Sequence, residues 1–510
     1  MLIKKATTIK SKTSDLPLLL TLLIIIILSN LIGVYNQDFS YDCPIIFEGG
    51  YRILKGQIPY RDFYIPTGPV VYYIQALFSY LFGLNLISLA MHTSTMAIIL
   101  SLYFFYILNK DFNRFISFIF AYGIYLSFCG ITNFPWYTTS AFLFLLLNIL
   151  LLIKNNNDYI NLKMIFIYII LCTLSFFSKQ DIGILQLLFI GAYLTLFTKK
   201  RFSNLFCFTL GLAITFFIIM LTYDRLGDFF SYFHLLRPEH SSRIKQFLSI
   251  SSYSWILRTT QFYLMVFSIF LWFNKSFQNK REKIYILFSI NFITAIVLIT
   301  SEYKYATLIQ QIPLSVYLII KIFENELKLL NRTNKPIVYL VSFLLLLYLM
   351  PLCNVVLQAV KYLYYSKTYT RIEEGSYRGA VLPQINLLEL SKIKSILDKH
   401  KTFLNLSEYT FLYVDYKIIP PKQLPLWFHY GVSFFEQDII KLKKHILETK
   451  PSIILVQNMH GLGPLLQNDN VDFFLKLGYK TIFETTEALC PNQSYEHRIY
   501  YPRIYVLKAL

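Results

Sequence analysis

Residues 38–83 read DFSYDCPIIFEGGYRILKGQIPYRDFYIPTGPVVYYIQALFSYLFG, and they lie between the apolar runs 16–34 and 84–108. Four carboxylates, Asp38, Asp42, Glu48 and Asp62, stand in this stretch with Arg52, Lys55 and Arg61. Charge set between two hydrophobic walls is costly unless it has a role there. The stretch therefore predicts an active site at the outer face of a polytopic membrane protein.

Working outward, the composition supports that class. With 55% hydrophobic and 15% charged residues and a mean hydropathy of +0.49, the 510-residue chain is excluded from the soluble enzymes. A hydrocarbon core about 30 Å thick needs roughly 20 apolar residues per helix. Apolar runs at 16–34, 84–108, 115–131, 138–153, 164–177, 182–197, 205–222, 255–273, 284–300, 306–322 and 337–353 give about eleven spans, several of them short. The first is preceded by Lys4, Lys5, Lys10 and Lys12 but has a long apolar core and no small-x-small cleavage pattern, so it reads as a retained helix.

Basic loops fix the expected orientation, because Lys and Arg near helix ends are kept on the cytoplasmic side. The clusters at 4–12, 110–114, 154–163, 199–201, 275–283 and 328–335 fall on alternate loops. All are cytoplasmic together if the amino terminus is inside. The first loop, 35–83, and the tail beyond the last run are then extracytoplasmic, and much of the net charge of +19 is accounted for without nucleic acid. Residues 69–82 make a helix of about 21 Å, too short to span, and are expected to lie on the outer surface with Tyr72, Tyr73 and Tyr80 at the interface.

From about residue 361 the pattern changes to mixed charge with short alternating runs. The expected organisation is a membrane domain, 1–360, and a C-terminal extracytoplasmic α/β domain, 361–510. Helices are predicted at 436–448 and 471–477, and strands at 452–456, 481–483 and 504–507. The tail has no glycine-rich phosphate loop, Cys/His metal spacing or nucleophile elbow. The six cysteines are scattered and define no disulfide framework, although Cys43 and Cys490 are both expected outside.

An acid soon after the first helix, then G-Y-R-I-L-K-G-Q-I-P-Y-R-D-F at 50–63 and G-P-x-x-Y-Y-x-x-A-L-F-x-x-L-F-G at 68–83, resembles the first external loop of GT-C superfamily glycosyltransferases. The likeness is to bacterial proteins related to protein O-mannosyltransferases and the lipid A aminoarabinose transferase. Further echoes are S-K-Q-D-I-G at 178–183, Y-K-Y at 303–305 followed by Gln310, Gln311 and Pro313, L-W-F-H-Y-G at 426–431 and K-P-S-I-I-L-V at 450–456. The resemblance implies transfer of a sugar from a polyprenyl-phosphate donor to a lipid, glycan or protein acceptor at the outer face of the cytoplasmic membrane. Among relatives Asp is usually followed by Glu where this chain has Asp42–Cys43, a departure that bears on any role for paired carboxylates.

The chemistry explains the residue types. An attacking hydroxyl gives its proton to a carboxylate, and a departing phosphate needs cations. Asp42 is the expected base and Asp38 the second candidate. Lys179, Arg61, Lys55, Arg237 and Lys304 are the candidate phosphate ligands, with Asp62, Tyr60, Gln180 and Asp181 in support. Each has a plainer reading: an exposed loop acid, a turn-holding carboxylate, or a cation pairing with lipid headgroups. Glu48, Glu302 and His92 read as structural. The 18% aromatic content reflects membrane interfaces as readily as sugar stacking. The cofactor is unknown, and divalent-metal dependence stays open. A lipid-sugar transporter and a non-catalytic lipid-sugar binding protein are the alternatives. The apparently apolar helices weigh against transport.

Overall fold

The computed structural model describes residues 15–35, 42–65, 67–129, 135–155, 160–222, 260–300, 311–324, 369–400, 402–407, 409–426, 428, 434–457, 472–485, 488–489, 500–501 and 504–510. The expected run 337–353 and the candidates Asp38, Arg237 and Lys304 fall outside the described residues.

Each of the other ten apolar runs gives a helix. They are α1 (Leu16–Tyr35), α4 (Leu86–Leu108), α5 (Arg114–Cys129), α6 (Tyr137–Lys154), α7 (Leu162–Phe176), α8 (Gln180–Phe197), α9 (Arg201–Thr222), α10 (Thr260–Phe273), α11 (Arg281–Thr300) and α12 (Ile312–Ile322). Five of the described helices, α1, α4, α6, α8 and α9, are long and apolar enough to cross a membrane. In α1 the residues Leu16, Leu20, Ile24, Leu28 and Ile32 are exposed at four-residue spacing, and Leu22, Ile26, Asn30 and Val34 are buried opposite them. A half-exposed leucine–isoleucine stripe of that length is stable against lipid and unfavourable in water.

The helices are less apolar inside than the sequence suggests. Asn30 Nδ2 donates to Ser94 Oγ at 3.1 Å, Asn148 Nδ2 to Cys172 Sγ at 3.4 Å, and Asn291 Nδ2 to Ser315 Oγ at 3.1 Å. All six residues face neighbouring helices, where polar side chains act as interhelical glue. Their presence therefore has a packing explanation.

Two helices stand in the segment between α1 and α4. α2 (Asp42–Leu54) and α3 (Val70–Phe82) pack on each other, and α3 also packs on α4. α3 buries Val71, Tyr72, Gln75, Ala76 and Ser79 and exposes Tyr73, Leu77, Tyr80 and Leu81. At 13 residues it reaches about 20 Å. The helix is two-faced, and one of the three tyrosines expected at an interface is not on its outer face. Tyr72 is buried, because its position one residue after Val71 and three before Gln75 puts it on the inner face, where its hydroxyl lies 3.3 Å from Thr67 Oγ1.

Beyond the membrane helices a four-stranded sheet runs β4 (Phe403–Leu406), β6 (Ile453–Gln457), β10 (Ile504–Ala509), β7 (Tyr479–Glu484). β4 pairs in parallel with β6, and β10 runs antiparallel to both β6 and β7. The Ile-Ile-Leu-Val run of β6 is buried throughout, as expected of a strand covered on both faces. Helix Glu436–Thr449 lies over one face, where Leu442 and Ile446 share a core with Ile454, Val456 and Leu507. The other face, Ile453, Leu455 and Val506, belongs to the core that holds Phe47, Tyr51 and Phe63 of the first loop. Leu390, Ile393 and Leu397 of helix Gln384–Leu397 belong to the same core, so the tail is an α/β unit whose second core is shared between its own helix and α2.

Candidate functional site at the first external loop

The first loop is held by backbone geometry at two places. Between Ile58 and Phe63 the chain makes a tight turn in which Tyr60 adopts φ +66°, its N–H donates to Phe63 O at 2.8 Å, and its hydroxyl donates to Thr67 O. Asp62 closes this turn. Its carboxylate accepts from Ile58 N–H at 2.9 Å and from Arg61 at 2.6 Å, with Lys422 at 3.4 Å. Burial works to raise the Asp62 carboxyl, but the Arg61, Ile58 and Lys422 contacts outweigh it and hold the group below the ordinary carboxylate range. Asp62 O also accepts from Gln423 N–H at 2.6 Å, and β1 (Phe63–Tyr64) pairs in parallel with β5 (Leu424–Pro425).

The second anchor joins two motifs more than a hundred residues apart. Gly68 N–H donates to Ser178 O at 3.2 Å and Val70 N–H to Phe177 O at 3.1 Å. A Cβ on Gly68 would lie 1.7 Å from Phe177 O, so this approach requires glycine. The same logic holds one turn into α8, where a Cβ on Gly183 would lie 2.2 Å from Phe176 Cα. G-P at 68–69 and S-K-Q-D-I-G at 178–183 are therefore two halves of one structural junction.

Lys179 stands at this junction as the residue preceding α8. Its ammonium lies 3.3 Å from Asp181 Oδ2 and 5.9 Å from the centre of the Tyr137 ring, and its side chain is 11% exposed. A nearly buried ammonium at a helix N-terminus is suited to an anionic oxygen, since the first N–H groups of the helix, which have no partner within it, and the cation act in the same direction. Gln180 is buried beside it, and Asp181 Oδ1 accepts from Ile182 N–H at 2.8 Å.

Asp42 is the first residue of α2. An acid is the residue type favoured at a helix N-terminus, which gives the position a structural reason as well. Cys43 beside it is buried. Lys55 is exposed at the far end of α2, 5.4 Å from the Tyr51 ring, and Arg61 is half-exposed and paired with Asp62. The structure thus brings Lys179, Gln180 and Asp181 against the Gly68–Val70 segment, and groups Tyr60, Arg61 and Asp62 in a separate turn. Among the described residues no set of three or more His, Cys, Asp or Glu is arranged to hold a metal ion.

Sequence reasoning passed over a buried pair at the centre of the loop. Glu48 Oε1 accepts from Arg52 Nε at 2.7 Å and lies 2.6 Å from its Nη2, with both residues 2% exposed. Arg52 Nη1 donates to Pro421 O at 2.9 Å and to Gln57 Oε1 at 3.3 Å, while Gln57 Nε2 donates to Pro420 O at 2.7 Å. Burial outweighs the guanidinium and lifts the Glu48 carboxyl above its ordinary value. The four-residue Glu–Arg spacing was the available signal. Lys441 is a second such residue, its ammonium 3.2 Å from Tyr64 Oη and 4.4 Å from the ring centre.

The fold and this loop define a multi-pass α-helical membrane protein carrying an α/β unit on its first loop. No protein-family model matches the chain, and no curated protein does. Among solved structures, it is similar to the oligosaccharyltransferase of Archaeoglobus fulgidus in the apo form, with a TM-score of 0.48 at 11% identity over 96% of this chain and 76% of that one. It is likewise similar to the archaeal oligosaccharyltransferase AglB of Archaeoglobus fulgidus in complex with an inhibitory peptide and a dolichol-phosphate, with a TM-score of 0.46 at 11% identity over 96% and 75% of the two chains. At that identity neither supplies a residue correspondence.

Proposed function

We propose that this chain is a GT-C-type glycosyltransferase that moves a hexosyl or pentosyl group from a polyprenyl-phosphate donor to a lipid, glycan or protein acceptor at the outer face of the cytoplasmic membrane. The observation that carries this reading is the backbone junction of Gly68 and Val70 with Phe177 and Ser178, which fixes the nearly buried Lys179 against the acid-bearing first loop. In the reaction the acceptor oxygen bonds to the anomeric carbon as the bond from that carbon to the phosphate oxygen breaks. The acceptor proton passes to Asp42. Lys179 neutralises the charge left on the phosphate, and Asp181 orients Lys179. Arg61, Lys55, Arg237 and Lys304 are secondary cations around the donor headgroup, and Asp38 is the alternate base.

The test is release of free polyprenyl phosphate from a panel of polyprenyl-phosphate sugars, with total lipid extract as acceptor. Wild type turns over, and Asp42→Asn falls by about 10²-fold or more. Turnover that survives in Asp42→Asn moves the base and makes Asp38→Asn the next variant. Retention of a lipid-linked sugar with no turnover from any donor would sink the enzyme reading in favour of carriage or binding.

A further inference from the structure

At the end of the helix bundle away from α2 and α3, an open groove of about 480 Å³ runs between three membrane helices. Its walls are Leu102, Tyr103 and Tyr106 of α4, Leu147 and Leu151 of α6 and Leu171 of α7. The volume is that of an ordinary small-molecule site, but the walls are almost wholly apolar. Such a surface suits a hydrocarbon chain.

The mouth of the groove has the opposite character. Lys154, the last residue of α6, places its ammonium 5.6 Å from the Tyr103 ring centre and 5.3 Å from that of Tyr106. Lys110, just beyond α4, places a second ammonium 5.1 Å from the same Tyr106 ring. Two cations on one aromatic ring repel each other, and neither has a carboxylate partner among the described residues. An anion at the mouth relieves this repulsion.

We propose that this groove is a binding site for one anionic glycerophospholipid, its phosphate between Lys110 and Lys154 and one acyl chain along α4, α6 and α7. The site is separate from the loop carrying Asp42 and Lys179 and does not depend on the transferase reading. Its chemistry is that of juxtamembrane lysines meeting an anionic headgroup, with specificity added by the preformed groove.

The test uses the full chain in nanodiscs of phosphatidylcholine with increasing phosphatidylglycerol, with retained lipid counted by native mass spectrometry. Wild type retains one phosphatidylglycerol. Lys110→Gln/Lys154→Gln retains it about tenfold less at equal lipid, and Leu151→Trp, which fills the groove without altering charge, loses it as well. Helical circular dichroism equal to wild type establishes that both variants fold. Equal retention by the lysine variant overturns the proposal. So does retention by Leu151→Trp, which would put the lipid on surface charge alone, and so does a polyprenyl phosphate found in place of the glycerophospholipid.

Discussion

Gly68 shows at the scale of one residue how a motif in the sequence becomes a junction in space. The sequence shows G-P ahead of an apolar helix but not what the glycine meets, because Phe177 is distant along the chain and close only in the fold. Gly68→Ala must displace Phe177 O and with it the two backbone bonds at 3.2 and 3.1 Å. The expected cost is about 1–3 kcal/mol, read as a lower thermal midpoint in detergent. Polyprenyl phosphate release should fall with it, because the same shift moves Lys179. Lys179→Gln separates the two effects: the thermal midpoint stays close to wild type while turnover falls by about 10²-fold. A midpoint that drops as far as in Gly68→Ala, with turnover intact, would make Lys179 a structural residue. Lys179 itself was legible from its type and its place before an apolar run. The aromatic face of Tyr137 was not, since nothing in F-P-W-Y at 134–137 points to a lysine more than forty residues away.

At the scale of elements, the long helices were legible because a bilayer imposes their length and composition on the sequence itself. α2 was not. Its Gly49–Gly50 pair argues against a helix by propensity, yet a Cβ on Gly49 would lie 2.2 Å from Tyr72 and one on Gly50 2.9 Å from Gln75. The glycines are there to let α2 and α3 touch, so close packing overrides local preference. Inside α2 the Glu48–Arg52 pair carries the links to Gln57 and Pro421. Arg52→Met leaves Glu48 buried without its cation and is expected to cost about 3–5 kcal/mol. Glu48→Gln strands the Arg52 guanidinium, which cannot shed its proton, at a cost of the same order, so both variants should melt well below wild type, and Glu48→Gln/Arg52→Met, which removes both charges, should recover part of the loss. Asp62 adds a pH dependence with the opposite sign to that of Glu48. Its folded value lies below 3.8, so its contribution is present above that value and is lost as pH falls through the lower, folded one. The lifted Glu48 instead costs stability as pH rises from 4.5 through its folded value. Melting curves between about pH 3 and 7 should therefore show the gap between wild type and Asp62→Asn closing toward the acid end. A gap that is constant with pH would mean that the Asp62 charge is not what holds the turn.

On the scale of the whole molecule, the composition changes near residue 361, and the contacts cross that point. β5 pairs with β1, Tyr51 Oη donates to Ile418 O at 3.2 Å, and Thr410 Oγ1 donates to Pro44 O at 3.0 Å. Phe47 meets Tyr377 edge-on at 5.2 Å, and Tyr377 stacks on Phe411 at 4.6 Å. A composition profile registers polarity but cannot register that a core of the tail is shared with a helix from the first loop. That is why helix Glu436–Thr449 and three of the four strands of the sheet could be read in advance, while strand Phe403–Leu406, helix Gln384–Leu397 and the share of α2 in their core could not. A fragment spanning 369–510 would uncover Tyr377 and helix Phe411–Asp415, which pack against Phe47 and α2 in the full chain. Such a contiguous apolar face drives association in water. Expressed alone, the fragment should be insoluble or rapidly cut by trypsin, whereas the same segment in the full chain should resist cleavage after Lys394 and Arg371. Co-expression with the membrane part should restore the protection, because α2 brings its share of that core. A fragment that stays soluble and shows the full-chain cleavage pattern would instead make the tail an independent domain docked on the loop, and Arg52→Met would then loosen the docking without unfolding the sheet.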